Sequence, residues 1–315
     1  MATAPQKAFL AYIYALFPGF VGLLAFIASR LPPYGALLVL ALFLHANVVD
    51  RAAYNGKGRV VRFLRTSRLW EYARLYFPHT LHQDDELDAT KNYFFIAHPH
   101  GIIGISIWMA FGGDSLHFSR KNKNLDIALA TVGVNFRVPL WKDLLLALGF
   151  VDASYTSLSN VLGCGRSACL VVGGAQEALE SHPGTNRLVL NRRKGFVKLA
   201  LQHGVPLVPV YTFGETDLFT QVANPMGSLL RNVQEKLLKT FTFSMPCVTS
   251  GPLPMSTPLH TVVGSPVVVP KRAAPTQAEI DLYHAKYVDA VKALFQEHQM
   301  SFYKGKAGTD LEIVL

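Results

Sequence analysis

From Ala8 to Ser29 the chain carries no charged residue and runs through Phe9, Leu10, Ile13, Leu16, Phe17, Val21, Leu24 and Ile27. A helix crosses the hydrocarbon core of a bilayer with roughly 20 such residues. The run therefore restricts this stretch to a membrane segment, a cleaved signal or a helix at the centre of a large core. After Arg30 and the Leu31-Pro32-Pro33 break, a second apolar run extends from Tyr34 to Val49. The pair reads as a hairpin dipping into or through a membrane, with Pro18-Gly19 as a kink in its first arm. A cleaved signal is the poorer match, because the first run is long for one and a second follows it. A pair of buried core helices remains the other alternative.

A hairpin with so short a connection returns the chain to the side it came from. Arg51, Lys57, Arg59, Arg62, Arg65 and Arg68 follow it, and no acid occurs between Asp50 and Glu71. Such a run places that side at the cytosolic face, where anionic lipids attract it. The expected division is residues 1–50 as a membrane hairpin and residues 51–315 as a cytosol-facing, membrane-associated domain. The net charge of +9 fits that surface or a phosphorylated ligand. No zinc-finger spacing, RNP-like pattern or basic heptad supports nucleic acid. Cys164, Cys169 and Cys247 form no C-x-x-C pair, their odd number gives no disulfide framework, and no Asn-x-Ser/Thr sequon occurs. A reducing compartment is expected.

Beyond residue 93, short apolar runs alternate with helical patterns, the signature of an α/β domain. Tyr93 to Ala97, Ile127 to Val132 and Cys169 to Val172 read as strands. Ile102 to Met109, Leu140 to Leu148, Leu229 to Lys239 and Lys194 to His203 read as helices, the last closed by Gly204. Val205 to Tyr211 reads as a strand that Pro206 and Pro209 assign to an edge or irregular position. Thr276-Gln277-Ala278-Glu279 has capping-box spacing and opens a last helix.

His98-Pro99-His100-Gly101 ends the first of these strands, a place where α/β domains build ligand sites. In an extended stretch the two imidazoles point to different sides, so one of them is expected to do chemistry. A neutral imidazole takes a proton from an attacking hydroxyl, and Gly101 admits close backbone approach. Backbone N–H groups at Ile102 to Gly104, opening the following helix, are candidates to stabilise an oxyanion. The bland alternative is two histidines satisfied at a strand end. The Gly173-Gly174 turn after Val171-Val172 presents Glu177, which either orients the active imidazole, binds an acceptor hydroxyl, or is a solvated acid in a helix first turn. Arg192, Arg193 and Lys194 open a helix where cations oppose its positive end. That suggests a bound anion such as phosphate, with a solvated basic turn as the alternative. Arg120, Lys121 and Lys123 form a second basic cluster.

Tyr76-Phe77-Pro78, then YFFIAHPHG ending at Gly101, VGGAQEAL, and RKGFVKLALQHGVPLVPVYTFGE ending at Glu215 occur in this order. Together they closely resemble the type 2 diacylglycerol acyltransferase family, which includes monoacylglycerol and wax-alcohol acyltransferases. The likeness extends from about Leu37 to the C-terminus. It implies a glycerolipid-acyltransferase-like α/β domain behind an N-terminal hairpin, and transfer of an acyl group from acyl-CoA to diacylglycerol, forming triacylglycerol. It further implies residence in the endoplasmic reticulum membrane and association with lipid droplets. By resemblance, His100 is catalytic with support from His98, Glu177 and the Gly173-Gly174 turn are important, and Tyr76-Phe77-Pro78 contributes to the substrate site. The expected partners are acyl-CoA as co-substrate, with its phosphates on Arg192, Arg193 and Lys194, a lipid alcohol and membrane lipids. No separate cofactor, metal or nucleic acid is expected, and a homo-oligomer is left open.

The wider glycerolipid acyltransferases carry His-x-x-x-x-Asp, whereas the positions five after His98 and His100 are Ile103 and Ile105. Another carboxylate must orient the base or none does, and Glu177 is the candidate. A serine hydrolase would need Gly-x-Ser-x-Gly, which neither Ser106 nor Ser167 provides. A metal on His79, His82, His98 and His100 lacks partner spacing. Cys164 and Cys169 as thiol nucleophiles lie in apolar sequence, where cysteine is usually inert. A non-catalytic lipid-binding scaffold is the remaining alternative.

Overall fold

A computed structural model of the chain describes residues 3–123, 125–241, 245–303 and 310–314. It opens with one continuous helix, α1 (Ala4–Arg30), that contains Pro18. Then follow α2 (Tyr34–Leu44) and a π-helical extension, His45–Val49. Among the described residues α1 alone is long and apolar enough to cross a membrane, and 11% of its most apolar window is buried. So low a share excludes the core-helix alternative, because a core helix hides its apolar surface.

One stripe of α1 does pack on the domain. Phe9 meets Trp70 edge-on at 6.1 Å and Phe17 meets Trp141 at 5.5 Å. Leu10, Ile13, Tyr14, Leu16 and Phe20 join the adjoining apolar clusters. At the far end of the hairpin the buried ammonium of Lys142 donates to the carbonyls of Ala46 (2.5 Å) and Asp50 (2.8 Å) and lies 3.3 Å from the Asp50 carboxylate. Arg59 bridges Asp50 and Asp143 at 2.8 Å each, and Arg65 donates to the Phe111 carbonyl at 2.5 Å. These two cations of the basic run therefore serve the protein's own structure, while Arg51, Lys57, Arg62 and Arg68 remain exposed.

The domain centres on a seven-stranded sheet of order β1-β8-β7-β2-β5-β3-β4. Its strands are β1 (His79–Gln83), β2 (Phe94–His98), β3 (Ile127–Thr131), β4 (Phe150–Asp152), β5 (Ser167–Val171), β7 (Leu207–Phe213) and β8 (Leu259–Val263). All neighbours are parallel except β7 and β8. A small parallel pair joins β6 (Asn186–Val189) to β9 (Leu311–Val314). Alternation along β2 sends Phe94 and Ile96 to the face that packs against the Gly195–His203 and Gln277–Tyr303 helices. Phe95 and Ala97 go to the opposite face, toward Trp108, Trp141 and α1. The arrangement is the expected mixed α/β domain behind an apolar N-terminal helix.

Two local expectations need correction. β7 is an interior strand buried along its whole length, not an edge. Its Leu207 N–H reaches the Val267 carbonyl and the β8 ladder begins at Val210; between them the Pro209 carbonyl accepts the Gly264 N–H at 2.9 Å, so the proline costs the strand one bond at the end of β8 and no more. The helix after Gly101 begins at Ile105, not Ile102, and widens into a π-helix at Trp108–Gly112. Gly101 and Gly104 adopt φ +59° and +64°, so the intervening residues form a turn. The last helix does carry its capping box: the Thr276 N–H donates to Glu279 Oε2 at 2.8 Å, and the Glu279 N–H to Thr276 Oγ1 at 3.2 Å.

Candidate active site

The two histidines at the end of β2 part company as their spacing predicts. His98 continues the Phe94–Ile96 face and is fully buried against the last helix, where Nε2 lies 3.0 Å from Tyr287 Oη. Tyr287 donates its single proton to the Ile96 carbonyl at 3.1 Å, so His98 Nε2 is the donor to it. Burial holds the His98 imidazole neutral, with its pKa pushed down to about 3.

His100 is half-buried and lines a cavity of ≈ 300 Å³. The walls come from Ile102 and Ile107 after the turn, Leu129 and Ala130 of β3, Leu170 and Val171 of β5, Trp108, Trp141, Leu145 and Phe150, with Gly174 and Ala175 beside the histidine. These positions cluster at the carboxyl ends of the parallel strands, where open α/β sheets bind ligands. The cavity is an apolar slot with one imidazole among a few polar lining groups, the others including Thr131 and Asn135. His100 Nδ1 lies 3.1 Å from the Gly101 carbonyl. A carbonyl only accepts, so Nδ1 carries the proton and Nε2 keeps its lone pair. Desolvation lowers the His100 pKa, against a smaller opposing effect of that carbonyl, so the ring is neutral at pH 7.

Glu177 was the carboxylate expected to orient this ring, and it does not touch it. It is buried, with Oε1 accepting the His100 backbone N–H at 2.5 Å and Oε2 accepting the Val189 N–H at 2.9 Å. Its role is to fix the backbone of the histidine turn, and the solvated-acid alternative fails with it. A Cβ on Gly173 would collide with the Glu177 carboxylate, while Gly174, at φ +59°, lies on the cavity wall. Burial raises the Glu177 pKa to about 7, against the pull of the His100 and Val189 N–H groups.

A second buried carboxylate was not singled out from sequence. Glu215 follows the interior strand β7, and its two oxygens accept the N–H groups of Ile105 and Ser106 at 3.1 Å each. The N–H groups of Ile105 and Ser106, which open the helix, are thus occupied, while those of Ile102 to Gly104, the expected oxyanion donors, lie in the turn before it. A Cβ on Gly101 would stand 2.8 Å from Glu215 Oε1, so only glycine fits between the histidine and this acid. Burial raises Glu215 to about 7 as well. The signal that could have found it is the string Phe213-Gly214-Glu215, which repeats the order of strand, glycine and acid seen at Val172-Gly173 and Glu177.

Arg192 and Arg193 are exposed just before the Gly195–His203 helix, with Arg193 3.4 Å from Gln176 Oε1 on the helix that carries Glu177. Lys194 pairs with Asp281 at 2.7 Å and needs no external anion. Tyr76, Phe77 and Pro78 do not line the cavity. Tyr76 Oη donates to the Pro254 carbonyl at 2.7 Å, Phe77 is fully buried, and the Phe77 carbonyl accepts from Leu259 N–H, so this stretch ties the start of β1 to β8.

The rival chemistries lose their geometry. His79 is held by Thr261 at 2.8 Å, His82 by Thr80 at 3.2 Å and His98 by Tyr287, so these histidines do not converge with His100 on one ion. Ser106 and Ser167 are buried, and so is Cys169, whose thiol pKa is pushed well up by burial; Cys164, expected in apolar surroundings, is instead exposed, and it does not line the cavity.

An apolar helix that fits a membrane, an α/β domain and a histidine facing an apolar slot point to an acyl-transferring enzyme. The pattern of the family described as diacylglycerol acyltransferase matches residues 33–313. The chain belongs to that family and is an acyl-CoA-dependent O-acyltransferase. It is 42% identical over 254 residues to diacylglycerol O-acyltransferase 2 of Dictyostelium discoideum, covering 78% of this chain and 77% of that one. The human protein of the same name is 39% identical, covering 84% and 71%. A bovine 2-acylglycerol O-acyltransferase 1 is also 39% identical, covering 80% and 77%. Among solved structures, the 1-acyl-sn-glycerophosphate acyltransferase PlsC of Thermotoga maritima aligns over 96% of both chains at 12% identity and a TM-score of 0.44.

Proposed function

We propose that this chain transfers the acyl group of acyl-CoA to diacylglycerol, forming triacylglycerol, with His100 as general base. The observation that carries the reading is the His100 ring, neutral, lining an apolar slot, with Nδ1 on the Gly101 carbonyl and no partner for Nε2 among the described residues. Nε2 removes the proton of the acceptor hydroxyl as its oxygen attacks the thioester carbonyl. The C–S bond of the tetrahedral intermediate then breaks, and the imidazolium returns its proton to the CoA thiolate. The Gly101 carbonyl supports the imidazolium, in the place of the absent aspartate. His98 and Glu177 act on the turn that carries His100, and Gly101, Gly173 and Gly174 leave room for substrate. Arg192 and Arg193 lie beside Glu177's helix as the anchor for the CoA phosphates.

Residues 1–50 act as the membrane hairpin and residues 51–315 as the domain on its cytosolic face, at the endoplasmic reticulum and on lipid droplets. A lipid-soluble acceptor then reaches the slot without crossing water. Monoacylglycerol as acceptor is the second reading, supported by the 2-acylglycerol acyltransferase relative.

The test incubates membranes bearing the chain with labelled oleoyl-CoA and, separately, diacylglycerol, monoacylglycerol or a long-chain alcohol. Triacylglycerol formed by the unmodified chain and lost in His100→Ala is the expected result. Product from another acceptor alone would reassign the substrate. No ester from any of them, in folded membrane-bound protein, would leave a lipid-binding scaffold.

A further inference from the structure

Two basic clusters visible in the sequence take no part in the candidate active site: the end of the run that follows the hairpin, and the group beginning at Arg120. In the fold they meet. Arg68 and Arg120, 52 residues apart in sequence, line one open groove of ≈ 800 Å³ beside the Trp70–Tyr76 helix. Both side chains are exposed, and neither makes an ion pair or hydrogen bond among the described residues.

The acids of the groove are already matched. Glu71 pairs with Arg74 at 2.7 Å and lies 3.5 Å from His117 Nε2. Asp114 accepts the Ser119 N–H at 3.0 Å and lies in the field of the buried Arg65 guanidinium. The charge left over is that of Arg68 and Arg120. Next to them Leu69, Tyr72 and Leu75 expose 55%, 42% and 49% of their surface, an apolar strip that water alone would not favour. Phe9 of α1 packs against this same helix, 6.0 Å from Tyr72, so the groove lies at the foot of the membrane segment.

We infer that this groove binds the headgroup of an anionic phospholipid, with Arg68 and Arg120 on its phosphate and its acyl chains along Leu69, Tyr72, Leu75 and α1. Two guanidinium groups suit a phosphate geometrically, and an anionic lipid brings no choline or ethanolamine cation to offset them. The apolar strip selects a lipid over a free anion. The inference rests on the membrane attachment proposed above and is independent of acyl transfer.

The test places the full chain in nanodiscs of phosphatidylcholine with or without phosphatidylglycerol and counts retained lipids by native mass spectrometry. Three proteins are compared: unmodified, Arg68→Gln/Arg120→Gln, and a charge-matched control, Lys286→Gln/Lys292→Gln, on the last helix. Unmodified and control chains should retain phosphatidylglycerol preferentially. The double variant should lose that preference by roughly 25-fold, about fivefold for each cation near an anionic surface. Equal retention by the double variant, an equal loss in the control, or full competition by inorganic phosphate would each overturn the assignment. A chain found in the discs with no anionic preference sinks this inference alone. A chain that fails to incorporate sinks the membrane attachment with it.

Discussion

Glu215 is the residue whose removal most directly tests how the histidine turn is held. Its carboxylate accepts two buried backbone N–H groups, from Ile105 and Ser106. Glu215→Ala orphans both donors. At about 1–3 kcal/mol for each buried polar group left unpaired, the loss should be roughly 2–6 kcal/mol. Glu215→Gln keeps one acceptor and turns an amide N–H against the other donor, so it should cost about half as much. Both variants loosen the backbone between His100 and Ile105, so turnover should fall in the same order as stability. The assay pairs urea unfolding in detergent with labelled acyl transfer. A Glu215→Gln protein that unfolds within about 0.5 kcal/mol of the unmodified chain and keeps its turnover would show that other contacts hold the turn.

Three further outcomes follow from the same geometry. Lys142→Met removes the ammonium that ties the end of the hairpin to the domain and should cost about 3 kcal/mol, seen as a lower unfolding midpoint and easier proteolysis after Val49. Arg192→Gln/Arg193→Gln should raise the KM for acyl-CoA severalfold with little change in kcat, because anchoring a remote phosphate affects ground and transition states alike. For pH, His79 and His98 have folded values lowered to about 3 by burial, so their stabilisation is present above 6.5 and is lost as pH falls. Glu177 and Glu215 are raised to about 7, so theirs is present below 4.5 and is lost as pH rises through 7. The two trends oppose each other between 4.5 and 6.5, and thermal melts should drop most steeply below pH 4.5, where the raised carboxyls no longer offset the histidines.

Much of the site was legible because it is local. The strand before His98, the opposed directions of the two imidazoles and the glycine turn near Glu177 follow from alternation and from residues within a few positions of one another. The contacts that hold these pieces are not local. Glu215 reaches Ile105 only because β7 lies beside β2, and sheet order leaves no trace in periodicity. The proline rule misplaced β7 for the same reason: whether Pro209 breaks a ladder bond depends on where β8 stops. Glu177 illustrates the converse. Its sequence position makes it a candidate partner of the His100 ring, whereas it accepts the His100 backbone N–H, and which atom it meets depends on a few ångströms of backbone path that residue types do not encode.

The stripe of α1 that runs from Phe9 to Phe20 has a consequence for how the protein is made. Those side chains complete the apolar clusters around Trp70, Trp141 and Ile105, so the domain's core includes part of the hairpin. A helix long and apolar enough to cross a membrane thus also completes the interior, which is enclosed only once that helix has docked. A chain that misses the membrane during synthesis would carry an open trench along the domain, a mark by which quality control can tell it from one correctly inserted.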